Sequence, residues 1–307
     1  MSSIESSWFK SIVKALNFDV LIAGLTGGAV STLILHPLDV VKIQLQVSEN
    51  HSYHERKVYK NMRDVIPTVY RNGGLLSFYQ GVSPNLVGAA CSWGLYFFIY
   101  HGLKTSTLQN SDKTSLGMAE HLAYAAIAGF MTLTLTNPIW VIKTRMVLQA
   151  SSKNTMYRGL VDGLSQVARK EGLRGLYSGY LPGLFGISHG VIQFVSYEKM
   201  KEYYYKKNSY NLDEKLGVFP YIALSASSKV LAVSLTYPYQ VIRSRLQDAS
   251  CQYNGSWDII MRTVRNEGWR GFYKGIVPNL IRVTPACCIT FVCFENVMHY
   301  LKAYKTI

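Results

Sequence analysis

His36-Pro37-Leu38-Asp39-Val40-Val41-Lys42-Ile43-Gln44 returns twice along the chain. The copies are Asn137-Pro138-Ile139-Trp140-Val141-Ile142-Lys143-Thr144-Arg145 and Tyr237-Pro238-Tyr239-Gln240-Val241-Ile242-Arg243-Ser244-Arg245. The three prolines stand 101 and 100 residues apart. A second element follows each copy: Gly73-Gly74 to Tyr79-Gln80-Gly81, Glu171-Gly172 to Tyr177-Ser178-Gly179, and Glu267-Gly268 to Tyr273-Lys274-Gly275. A third is Tyr100-His101 with Lys104, Tyr197-Glu198 with Lys201, and Phe294-Glu295 with Met298. Self-similarity at a fixed period marks a repeat architecture. The 307 residues are therefore read as three related units, not as two unrelated soluble domains.

Charge placement says where those units sit. Only 16% of residues are charged while 49% are apolar, against about 25% charged in soluble domains. No charge occurs between Asp19 and Asp39, Arg71 and Lys104, Glu120 and Lys143, or Arg174 and Glu198. Each gap holds the roughly 20 residues that span a bilayer. Two further apolar stretches carry one central cation each, Lys229 and Arg282. The expectation is an all-α membrane protein with six spanning helices over 18–46, 82–106, 119–148, 181–205, 217–247 and 277–303. Segments 61–71, 158–170 and 256–266 have helical apolar spacing and basic faces, which suits three interfacial amphipathic helices. The organisation expected is an N-terminal tail over 1–17 and repeats over 18–106, 119–206 and 216–304, forming one structural unit. The tail has no apolar core of a secretory signal, so targeting information is expected inside the chain.

The net charge of +14 fits an anion-handling membrane protein better than a nucleic-acid binder, because so few charges accompany it. No metal site is expected: Cys287-Cys288 and Cys293 lack zinc spacing. Small residues in an apolar helix are the plainer reading of these cysteines.

The three proline–acid–base elements and the three glycine–aromatic–glycine elements resemble the mitochondrial carrier family across nearly the whole chain, from about residue 18 to 304. That resemblance implies six tilted helices with pseudo-threefold symmetry around a cavity, matrix-side amphipathic helices, and metabolite transport across the mitochondrial inner membrane. It also implies a monomer that makes and breaks no bond. The matrix gate would be built from Asp39, Lys42, Trp140, Lys143, Gln240 and Arg243, with Gln44 bracing it. By the family's pairing order, Asp39 meets Lys143 and Lys42 meets Gln240. Arg243 is left without an acid, because Trp140 stands in its place. The cytoplasmic gate would pair Lys104 with Glu198 and Lys201 with Glu295, while His101 and Met298 leave the third pair unmade. Gly81, Gly159, Gly179, Gly255 and Gly275 precede helix starts, where free N–H groups bind phosphate. The family uses such places for cardiolipin; a plain turn is the alternative.

Substrate contacts are read from symmetry and charge. A cation within a spanning helix is costly and is usually turned inward for function. Lys229 aligns with Gly28 and Gly129; Arg282 aligns with Gly88 and Phe185. Lys229, Arg282, Gly88 and Phe185, with Gly186 and His189, are the candidate contacts. Trp93 is the candidate for stacking on a flat ring, or else it faces lipid; His189 either packs helices or touches ligand. Pro138-Ile139-Trp140 resembles carriers of nucleotide-like cofactors: FAD, folate, NAD and pyrimidine nucleotides. Ser92-Trp93-Gly94-Leu95-Tyr96-Phe97, Gly183-Leu184-Phe185-Gly186 and Tyr237-Pro238-Tyr239-Gln240 together resemble the mitochondrial folate/FAD carriers. The expected substrate is therefore a large planar anion moved by alternating access. FAD stands slightly ahead of folate, because a pyrophosphate suits two close cations. NAD or pyrimidine nucleotides are further candidates. No resident cofactor is expected. A membrane enzyme would need clustered acids, histidines or cysteines in the membrane, which the sequence does not offer, and a channel would show conductance without saturation.

Overall fold

The computed structural model describes residues 18–49, 58–110, 117–151, 156–208, 217–249 and 253–305. The N-terminal tail over 1–17 lies outside these residues. Six long helices are present: α1 Phe18–Val47, α3 Val82–Asn110, α4 Met118–Leu148, α6 Tyr180–Asn208, α7 Val218–Gln247 and α9 Ile276–Lys305. Three shorter ones lie between the members of each pair: α2 Met62–Gly73, α5 Leu160–Leu176 and α8 Ser256–Glu267. Every expected helix exists, with ends that differ by a few residues; α5 runs on to Leu176 across a kink at Gly172.

The repeats interlock in a ring. The most extensive helix contacts are α3 with α4, α6 with α7 and α9 with α1, so each unit's second long helix packs on the next unit's first. Five of the six long helices have an apolar stretch long enough to cross a membrane. The sixth, α6, falls short because Ser188, His189, Gln193, Glu198 and several lysines interrupt its apolar run. In a closed ring it can still span, because its polar side faces other helices or water instead of lipid. The polar faces of α2 and α8 stay exposed while Val65 and Val69, and Ile259, are buried.

Pro37, Pro138 and Pro238 lie inside α1, α4 and α7. The residue before each proline ties its helix to the loop that opens the next long helix. His36 Nε2 donates to the Gln80 carbonyl at 3.0 Å, Asn137 Nδ2 to that of Leu176 at 3.0 Å, and the Tyr237 hydroxyl to that of Lys274 at 3.1 Å. His36 Nδ1 lies 3.4 Å from the Asn85 amide nitrogen, an arrangement that suits acceptance there and a proton on Nε2. Three unlike side chains thus do one job, and each can supply an N–H or O–H.

Candidate functional site

The C-terminal ends of α1, α4 and α7 converge and are buried, and the expected gate residues meet there. Lys42 Nζ donates to Gln240 Oε1 at 3.0 Å. Lys143 Nζ lies 3.9 Å from Asp39 Oδ2 and 5.4 Å from the centre of the Trp140 ring. Arg243 has no carboxylate partner among the described residues and reaches Asn137 Oδ1 at 3.3 Å. A further partner comes from outside the expected set. Arg282 Nη1 lies 2.7 Å from Asp39 Oδ1, closer than Lys143 does. Asp39 is almost wholly buried, so its charge needs that pairing.

Arg282, expected as a substrate contact, is therefore also seated on Asp39, because α9 packs on α1. Gly88, by contrast, is not open as expected. It occupies the equivalent place where α3 packs on α4, and it is buried. A Cβ there would lie 3.1 Å from Ile139 and 3.4 Å from Trp140. The glycine is the socket that admits the Trp140 ring, not a surface open to ligand. Acid against arginine and tryptophan against glycine are two solutions of one packing position.

Other candidate contacts divide. Phe185 is exposed, while Gly186 is covered by the Tyr239 ring, its Cβ position 3.1 Å from the hydroxyl oxygen. His189 Nδ1 lies 2.9 Å from Thr236 Oγ1, and Thr236 donates to the Ala232 carbonyl. The hydroxyl hydrogen being used, the imidazole must donate, which ties α6 to α7. Lys229 is half-buried on α7 and has no hydrogen-bond or ion-pair partner among the described residues. The structure gives no contact between Arg282 and Lys229, so the two close cations that favoured FAD are not a shown pair. Trp93 is 62% exposed and stacks on Phe97 at 5.7 Å.

Below the charged layer lies a second ring that position-by-position reading only grazed. Gln44 donates to the Val147 and Leu148 carbonyls, Arg145 Nε to that of Gln247 at 3.1 Å, and Arg245 Nε to that of Gln46 at 3.0 Å. Each of these stands seven residues after its proline and ties one repeat to the next. Gln44 therefore braces the end of α4, not the Asp39–Lys143 pair. Arg145 also pairs with Glu171, and Arg245 with Glu267 at 2.7 Å. Repeat one has Gly73 at the acid's place and neutral Gln44 at the base's, so acid and base are lost together.

At the opposite mouth, Lys104, Glu198, Lys201 and Glu295 make no ion pair with one another among the described residues. The expected outer pairs are therefore unformed here, with the proline ends of the helices drawn together. Gly81, Gly179 and Gly275 have φ of 80°, 73° and 81°. Cβ atoms there would approach the Lys143, Arg243 and Lys42 carbonyls to 3.1, 3.0 and 2.8 Å. Chain direction and close approach both demand glycine at these three. Gly159 and Gly255 cap α5 and α8 in open space.

The profile described as "Mitochondrial carrier protein" matches residues 15–111, 114–208 and 214–305. The chain belongs to the mitochondrial carrier family. Its three repeats and ring of six long helices are those of a carrier, and members of the family are transporters. The carrier is 41% identical over 295 residues to "Folate transporter 1, chloroplastic" of Arabidopsis thaliana, covering 92% of this chain and 96% of the relative. It is 38% identical over 292 residues to "Nicotinamide adenine dinucleotide transporter 2, mitochondrial" of the same plant, covering 91% and 78%. To the mitochondrial FAD carrier protein of Saccharomyces cerevisiae it is 33% identical over 299 residues, covering 92% and 96%.

Proposed function

We propose that this carrier moves a large planar anionic cofactor of the FAD and folate type across the mitochondrial inner membrane by alternating access. The observation that carries the reading is the charge imbalance at the closed end of the cavity. Lys42, Lys143 and Arg282 gather around one carboxylate, Asp39, Arg243 stands beside Lys143, and Trp140 adds an aromatic surface where an acid would stand. An anion with a ring system complements such a floor, and the unpartnered Lys229 extends the positive track. The relatives named as folate, FAD and NAD transporters agree with that substrate class. The higher identity to the folate transporter favours folate as the second reading beside FAD.

In this reading the Asp39–Lys143, Asp39–Arg282 and Lys42–Gln240 contacts form the matrix gate, closed here. Lys104 with Glu198 and Lys201 with Glu295 form when the carrier turns to the matrix, with His101 beside them. Ring closure of α9 on α1 within one chain supports a monomer. The open caps at Gly159 and Gly255 would offer N–H groups to a cardiolipin phosphate. No resident cofactor, metal or nucleic acid enters this scheme.

The test uses the purified chain in liposomes, offered FAD, folate, NAD and pyrimidine nucleotides in turn. Saturable uptake of unchanged FAD or folate supports the proposal. Uptake of pyrimidine nucleotides alone overturns the substrate class. Chemical conversion of the solute, or conductance without saturation, overturns the carrier mechanism.

A further inference from the structure

We propose that the groove between α6 and α7 reads the hydrogen-bonding edge of a fused heteroaromatic ring, with Lys229 one helical turn deeper for the attached anion. This rests on the proposed substrate class and adds which part of the cavity recognises the ring. The groove has a volume of about 250 Å³ and is lined by Gln193, Phe194 and Tyr197 on α6 and Tyr221, Ser225 and Ser228 on α7.

Its direction follows from charge. Residues 190, 194, 198 and 201 share one stripe of α6, and its outer end carries Glu198 and Lys201. A stripe bearing charges does not face lipid cheaply, so it faces water. Tyr221, Ser225 and Lys229 stand four residues apart on one stripe of α7. Gln193 has no hydrogen-bond partner among the described residues, and an unpaired amide in a membrane protein belongs on an aqueous surface.

An asymmetric ligand in a pseudo-threefold cavity is recognised where the repeats differ. The place of Gln193 is held by Tyr96 and Thr290, and that of Ser225 by Gly24 and Ala125. Ser228 corresponds to Gly27 and Ala128, and Lys229 to Gly28 and Gly129. Three polar departures, Ser225, Ser228 and Lys229, thus fall at one helix interface, opposite an amide where the other repeats carry hydroxyls. At the equivalent α9–α1 interface the helices touch, a Cβ on Gly27 lying 2.8 Å from the Thr290 carbonyl oxygen. Packing therefore does not require polar residues at these places.

The lining fits a flat ring with donors and acceptors on its edge. Tyr197 and Tyr221 form an edge-to-face pair at 6.1 Å, and Phe194 is exposed beside them. The Gln193 amide offers an acceptor and donors side by side, matching adjacent donor and acceptor atoms on a pteridine, isoalloxazine or adenine edge. Ser228 lies at the buried floor of the groove, where its Oγ donates to the Ser225 carbonyl at 2.9 Å.

The experiment substitutes residues the chain already carries at equivalent places: Gln193→Thr, Ser225→Ala and Ser228→Ala, singly and together. Uptake of FAD, folate and NAD into liposomes is measured, with riboflavin, pterin and adenosine as uncharged competitors. The combined variant should raise the KM about tenfold while the maximal rate stays within about twofold. The competing ring fragment should inhibit the wild type and lose that effect in the variant, and its identity names the ring. The ligand-induced rise in melting temperature in detergent should shrink in parallel, which separates lost recognition from lost folding. An unchanged KM with unchanged competition would overturn the groove assignment while leaving the carrier reading in place. Wild-type protein that takes up none of the three cofactors would overturn the substrate class, and the groove assignment with it.

Discussion

Asp39 illustrates how a single residue changes meaning when its neighbours are seen. Its approach to Lys143 follows from repeat register, since both are counted from prolines. The shorter contact to Arg282 does not, because α9 carries no landmark aligned with those prolines. Position 282 is placed by the outer motif at Glu295, and no sequence rule links the two counts. The same gap hid Trp140 on Gly88. Arg282→Ala should therefore lower the melting temperature in detergent more than Lys229→Ala does. The loss should be at most about 3 kcal/mol, because Arg282 remains a third exposed. Equal melting temperatures for the two alanine variants would refute this pairing. A charge swap at the gate must involve three residues, because Asp39 has two basic partners. Asp39→Lys with Lys143→Asp leaves Arg282 facing a lysine, so uptake should stay low until Arg282→Glu is added. Full rescue by the two-residue swap would show that Arg282 is not part of the gate.

At the level of helices and their joints, the six spans and three amphipathic segments were legible because membrane and interface impose opposite charge patterns. The joints were legible only in part. The three glycines before α3, α6 and α9 looked like helix starts, and their packing on the next repeat's carbonyls became clear only in three dimensions. Gly275→Ala should lower the melting temperature more than Gly74→Ala. Both have positive φ, which costs a non-glycine roughly 1–3 kcal/mol, but only Gly275 also meets a backbone oxygen. Equal losses would refute the contact with the Lys42 carbonyl. A second test at this level uses pH. Burial raises the Glu267 pKa, but the charge and hydrogen bond of Arg245 and those of Lys274 outweigh it. The net effect holds the carboxyl below its ordinary 4.5. A depressed carboxylate stabilises the fold above its unfolded pKa, and that contribution disappears as pH falls through the folded value. The melting temperature should therefore drop on acidification below about pH 4.5, and Glu267→Gln should make that drop shallower. An identical acid profile in the variant would mean the strap to Arg245 carries no stability.

Across the whole molecule, pseudo-symmetry shows up best in where it breaks. Repeat one lacks the Arg–Glu strap, carrying Gln44 and Gly73 with Ser77 where the other repeats have Gly175 and Gly271. The small residue has changed places: in repeats two and three, a Cβ on Gly175 or Gly271 would strike its own glutamate. Gln44→Arg with Gly73→Glu and Ser77→Gly should build the third strap, raise the melting temperature and slow uptake. Gln44→Arg alone should do neither. Faster uptake by the triple variant would contradict a closing role for this ring. The closure of α9 on α1 has a further consequence, for how the carrier is made. Ser31 Oγ donates to the Ala286 carbonyl at 3.3 Å, across 255 residues of chain, and the Asp39–Arg282 pair spans a similar interval. During synthesis the first helix waits, its carboxylate lacking that arginine, until the last helix has been translated. Until then the seam of the ring is open, and a nascent carrier presents an unsatisfied acid and an uncovered helix flank to whatever escorts it.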